Sequence, residues 1–135
     1  MKKIWFVAAL TTVLAAGILL AQSDSDYQAW MKSNGAAMGA LNKSLMAKDA
    51  SGVATNAQTL ESNLKMVEAY WQKKGTADAE NFAKQGQMAA AKVASDASSG
   101  NLDQAGADLK MLQAQCGGCH MAHREGTAQT GFKMK

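Results

Sequence analysis

The stretch Cys116-Gly117-Gly118-Cys119-His120 sets the reading of the whole chain, and it holds the only two cysteines. Two cysteines three residues apart, with histidine directly after the second, form the attachment pattern of a c-type haem. Each thiol adds to one porphyrin vinyl group, and one helical turn spaces the two sulfurs for neighbouring vinyls. The next residue places an imidazole under the iron, where Nε2 binds as proximal ligand. Other chemistries use the same residue types. A redox Cys-x-x-Cys belongs beside a strand in a βαβ unit, and the chain shows no strand pattern. A zinc site would draw on Cys116, Cys119, His120 and His123, yet structural zinc usually joins two separated ligand pairs. An ordinary disulfide is the third alternative.

Working back from the motif, Leu102, Ala105, Leu109 and Leu112 fall on the same helical face as Cys116, Cys119, His120 and His123. The motif therefore lies in phase with the core side of an amphipathic helix. Asn101 opens that helix, with Gln104 three residues on, and Gly126 is the expected stop. Residues 127–135 have no period and are expected to form a flexible tail.

Three further helices precede it. Ser23-x-x-Asp26 reads as a capping box, with Asp in place of Glu. Behind it Tyr27, Trp30, Met31, Met38, Leu41 and Leu45 mark one helical face, interrupted by Asn34 and Gly35. A glycine there costs about 1 kcal/mol relative to alanine. Close approach of a haem plane or of another helix would each account for it. Lys48-Asp49-Ala50-Ser51-Gly52 reads as a turn. Val53, Ala57, Leu60, Leu64, Val67 and Trp71 then alternate steps of four and three residues, the spacing of a bundle seam. Lys73-Lys74-Gly75 closes this helix with cations at the negative end of its dipole and glycine beyond. Thr76 caps the third, whose thin stripe is Ala79, Phe82, Gly86, Ala89, Ala90, Val93 and Ala97. Ser98-Ser99-Gly100 ends it. Four amphipathic helices on short turns predict an all-α fold, an antiparallel up-down-up-down four-helix bundle with one covalently attached haem.

Composition agrees. The 135 residues contain no proline, and aromatic residues make up only 6%, so a buried porphyrin would supply bulk that the side chains lack. Lys2 and Lys3 followed by the uncharged apolar run from Ile4 to Leu20 read as an export signal, with cleavage expected after Ala21. The run is also close to the ~20 residues that span a bilayer, so an uncleaved anchor is the alternative. The expected division is a signal at 1–21, a four-helix domain at 22–126 and a tail at 127–135. Either way the body lies outside the cytoplasm, in the periplasm, where c-type haem is attached. Loss of Lys2 and Lys3 lowers the formal charge from +3 to +1. No basic run interleaved with aromatics points to nucleic acid.

On these residues the chain resembles the class II cytochromes c, the family of cytochrome c′ and its low-spin relatives. Cys116, Cys119, His120 and Arg124 match its Cys-x-x-Cys-His-x-x-x-Arg/Lys signature, placed near the C-terminus. Residues Met31-Lys32-Ser33-Asn34-Gly35-Ala36-Ala37-Met38 resemble the first helix of the methionine-ligated members. The resemblance implies an exported four-helix bundle with one haem c. In one branch a first-helix methionine is the second axial ligand and the protein carries single electrons. In the other the distal site is open and binds NO or CO.

Met31 and Met38 stand two turns apart on one stripe. Met31 matches the ligand position of the resembled proteins and is the expected second iron ligand beside His120. Core packing is the commonest use of methionine and the alternative for both. Trp30, Trp71 and Phe82 are the flat residues available to pack a porphyrin. Arg124, one turn beyond His120, is expected to offset propionate charge. His123, on the same helix turn as the proximal ligand, is expected at the pocket edge. No carboxylate pair, activated nucleophile or phosphate loop points to an enzyme. The expectation is an electron carrier meeting redox partner proteins, with gas binding as the alternative and a haem-free, disulfide-bearing interaction bundle as a third class. Members of the resembled family often form a homodimer through their first two helices, and the exposed faces of this chain neither favour nor oppose one. Membrane contact is expected only if the N-terminal segment stays uncleaved.

Overall fold

Four helices and a short hairpin make up residues 22–135, which the computed structural model describes. The export-signal reading of residues 1–21 lies outside the described residues. The helices are α1 (Asp24–Met46), α2 (Ala50–Lys74), α3 (Ala77–Ser98) and α4 (Leu102–His123). Each starts on a polar cap. Ser23 and Asp26 form the expected capping box, Ser23 Oγ accepting from the Asp26 amide at 3.2 Å and Asp26 Oδ2 from the Ser23 amide at 2.9 Å. Asp49 caps α2 through the Gly52 amide at 3.0 Å, so that helix begins inside the expected turn. Asn101 caps α4 through the Gln104 amide at 3.2 Å, whereas Thr76 holds the N-cap position of α3 without a side-chain bond. Gly75 ends α2 in the left-handed region, at φ 71°.

Contacts between helix ends fix the directions. Tyr70 Oη and Lys74 Nζ, late in α2, donate to Asp24 at the start of α1, at 2.6 and 3.2 Å. His123 at the end of α4 lies 2.8 Å from Asp78 at the start of α3. Lys92, late in α3, donates to Asp108, early in α4, at 3.3 Å. Consecutive helices thus run antiparallel, as a four-helix bundle requires. At backbone level α1 packs on α2, α2 on α3 and α3 on α4, while α1 and α4 scarcely touch. A Cβ on Gly106 of α4 would lie 3.5 Å from Leu45 of α1, so the two helices draw near toward the Leu45 end.

Two apolar clusters result. The larger runs through Leu41, Val53, Leu60, Leu64, Val93, Leu109 and Leu112, all on the stripes read from the sequence. The smaller gathers Tyr27, Val67, Tyr70, Trp71, Ala79, Ala83 and Cys119 at the other end. Tyr70 and Trp71 meet edge to face at 5.3 Å between ring centroids, a favoured aromatic geometry. Leu112, with 0% exposure, sits at the centre of the larger cluster. Leu112→Ala is expected to lower stability by about 2–5 kcal/mol, read as a fall in the urea midpoint at constant slope.

The tail is where the structure departs from expectation. Helix α4 stops at His123, three residues before Gly126, and the chain turns extended at Arg124. Residues 127–135 are no loose tail. Strand β1 (Arg124–Thr127) pairs antiparallel with β2 (Gly131–Met134), matching Arg124 to Met134 and Glu125 to Lys133. Gly126 at φ 93° and Gly131 at φ 80° adopt angles that other residues rarely reach, which lets the short chain reverse. Lys135 then donates its amide to His123 O at 3.0 Å and its ammonium to Met121 O at 3.1 Å, satisfying carbonyls left open at the helix end.

Acid is expected to weaken the fold. The hydroxyl of Tyr70, then Lys74, holds Asp24 below its ordinary value; the Ser23 amide does the same for Asp26, and His123 for Asp78. A carboxyl lowered on folding contributes stability above its unfolded value, near 3.8 for all three, and loses it as pH falls through the folded one. The urea midpoint should therefore fall between neutral pH and about pH 3.

Candidate functional site

The separation of α1 from α4 leaves a cavity of about 610 Å³, within the ~300–1,000 Å³ usual for cofactor sites. Helix α4 presents Cys116, Cys119, His120 and His123 to it, and Arg124 follows at its rim. Helix α1 faces them with Tyr27, Met31, Gly35 and Met38. Leu60, Leu64 and Val67 of α2 line the floor, with Phe82 and Ala83 of α3. Residues ninety positions apart in sequence thus meet across one apolar space. Its charge is one-sided: Lys32, Arg124 and Lys133 line it and, among the described residues, no aspartate or glutamate does.

Most of the expected site residues converge here. Cys116, Cys119, His120, Arg124, Phe82, Met31 and Met38 all border the cavity, and His123 stands at its edge beside Asp78. Trp30 does not border it, which corrects the expectation for that residue. Ser33 and Asn34 accept from Asn63 of α2 at 2.9 and 3.0 Å, and Asn34 also borders the cavity. Trp30, one turn before them, packs on the aromatic cluster instead. Trp71 is likewise buried in that cluster, its ring 5.2 Å from that of His123. Three hairpin residues that no motif marks also form wall: Phe132, Lys133 and Met134.

Glycines mark the spaces. A Cβ on Gly35 would meet nothing within 4 Å, so close helix packing does not explain this residue; it borders open cavity. Gly118 is the opposite case, since a Cβ there would stand 2.7 Å from Cε1 of Phe82. The Phe82 ring lies directly on the α4 backbone between the two cysteines. Gly117 is exposed and faces open space. Gly117→Ala is therefore expected to raise stability by about 0.5–1 kcal/mol. Gly118→Ala should fall short of that gain and push Phe82 into the cavity. Paired thermal melts of the two variants measure the difference.

Electrostatics separates the candidate chemistries. Burial pushes the Cys119 thiol up to about 11 and raises Cys116 as well. A protonated thiol is a poor redox nucleophile, because the thiolate is the reactive form. Both thiols are free, and no disulfide joins them. Among the described residues no three His, Cys, Asp or Glu side chains gather as a metal cluster. Burial, and then the charge of Arg124, lowers His120, keeping its imidazole in the neutral form that binds metals. One neutral imidazole, two adjacent thiols, methionine sulfurs on the opposite wall and a cationic rim fit an iron porphyrin better than a bare ion. Among the described residues no helix is long and apolar enough to cross a membrane. Compared with known proteins, the chain matches no family model, no curated protein and no solved structure.

Proposed function

We propose that the protein is an exported mono-haem cytochrome of class II type that transfers single electrons, with haem c held by Cys116 and Cys119 and its iron by His120. One observation carries this reading: the cavity brings the attachment motif on α4 opposite Met31 and Met38 on α1, within an apolar wall and a cationic rim. A haem has that same division, an apolar ring with two anionic propionates. Bound haem supplies a one-electron iron couple. The protein's part would be to hold it: Cys116 and Cys119 would supply the thiols for the vinyls, His120 and Met31 would bind the iron, and Arg124 would offset the propionate charge. Soft methionine sulfur favours ferrous iron, so Met31 in the sixth position would raise the potential, as suits an electron carrier.

Protein purified from an exporting host is the test. A Soret band that stays with the polypeptide after denaturation is expected, and its absence defeats the proposal. A five-coordinate gas-binding haem is the second reading, favoured by the open space beside Gly35 on the methionine-bearing wall. Prompt CO binding to the reduced protein would select it over the electron carrier.

A further inference from the structure

The hairpin after α4 has no part in the attachment motif, yet it supplies one wall of the cavity. Its strands are anchored to the bundle at several points. Tyr70 Oη of α2 donates to Met134 Sδ at 3.2 Å, and Met134 packs on the aromatic cluster. Lys135 bonds the last carbonyls of α4 through both its amide and its ammonium. The Arg124 guanidinium lies over the Phe132 ring, 4.0 Å from its centroid, a cation–π contact that ties the strands together at the cavity rim. From this docked position Phe132, Lys133 and Met134 reach the cavity.

Phe132 is 45% exposed, an unusual state for a phenylalanine on a small protein with few aromatics. Lys133 lies next to it, exposed, on a rim that already carries Arg124 and Lys32 and no carboxylate among the described residues. Glu125, whose backbone pairs with Lys133, does not line the cavity. An exposed ring beside a lysine at the mouth of an apolar cavity forms a surface for a flat ligand with an acidic edge. We infer that the hairpin is the propionate-side half of the cofactor site: Lys133 receives a haem propionate, and Phe132 and Met134 cover the adjoining ring edge. This rests on the haem reading above. It adds a recognition element outside the four helices, and it accounts for why the chain after α4 is folded and docked.

The test uses the haem-loaded full chain. In its reduced form, with CO added if the sixth position is open, nuclear Overhauser contacts are expected between haem propionate methylenes and side-chain protons of Lys133 and Phe132. Lys133→Gln should lower the ratio of reduced to oxidised protein at a fixed poise severalfold, on the order of tenfold, because an unpaired propionate anion favours ferric iron. Lys133→Arg should restore the ratio, and Glu125→Gln should leave it within about twofold. Hydrogen exchange of the hairpin amides shows whether Lys133→Gln keeps the hairpin docked. Absence of the Overhauser contacts in the wild type overturns the inference, whatever the variants do. So does an unchanged ratio in Lys133→Gln. A protein without a Soret band defeats the haem reading itself, so the two failures are distinct.

Discussion

Cys116→Ala combined with Cys119→Ala is expected to abolish covalent haem completely while leaving a helical protein. The two thiols are the only ones in the chain, and both open onto the same cavity. Denatured wild type should keep its visible chromophore and carry the added mass of one haem; the double variant should lose both. The fold should survive because the larger core, from Leu41 through Val93 to Leu112, lies beyond the motif, with Cys116 only at its border. Far-ultraviolet circular dichroism close to that of the wild type would show this. The denaturant midpoint should nonetheless drop below that of the loaded wild type, since a large apolar cavity loses its filling. Each single variant retains one thioether and should hold haem at reduced yield. A double variant that still carries covalent chromophore would overturn the assignment of the attachment site.

The bundle could be read from the chain because three signals coincide in it. Apolar stripes at helical period end at Gly75 and Gly100, and polar caps such as Ser23 and Asn101 restart them. The motif itself fell in phase with Leu109 and Leu112, and the structure places it on the core side as expected. What escaped was decided by tertiary contact. On α1 the helix divides: Ala37 and Leu41 face the core, while Met31, Asn34, Gly35 and Met38 border the cavity, Asn34 also accepting from Asn63 of α2. A step of one residue turns a helix by about 100°, so Met31 reaches the cavity and Trp30 does not, although both pack on the aromatic cluster. Asp108, off the apolar stripe of α4, is buried, with Lys92 as its ion-pair partner. Strands of four residues carry too little alternation to be seen, and the hairpin owes its place to the Tyr70–Met134 contact and the carbonyls at the end of α4.

Met31→Ala is expected to open the sixth iron position, whereas Met38→Ala leaves it closed. The two sulfurs border the same cavity at different heights. Met31 packs on the aromatic cluster that contains Cys119, the residue next to His120. Met38 packs on the larger core beside Cys116, one turn further back, and its sulfur lies 4.0 Å from the Gln113 amide. Met31 is therefore level with Cys119 and His120, the end of the motif proposed to bind iron, and Met38 with Cys116. In the reduced protein a methionine that holds the site in ~99% of molecules lowers the apparent CO affinity about 100-fold, and its removal should restore that factor. The same change should shift the spectrum from low-spin to high-spin and lower the potential, since sulfur ligation favours ferrous iron. Met38→Ala should alter stability through lost packing but keep the low-spin spectrum. An unchanged spectrum in Met31→Ala removes Met31 as ligand. If Met38→Ala opens the site instead, the sixth ligand comes from two turns further along α1, nearer Leu60 and Leu64 than Tyr27. If wild type already binds CO at the affinity of both variants, neither sulfur reaches the iron and the cavity serves gas binding.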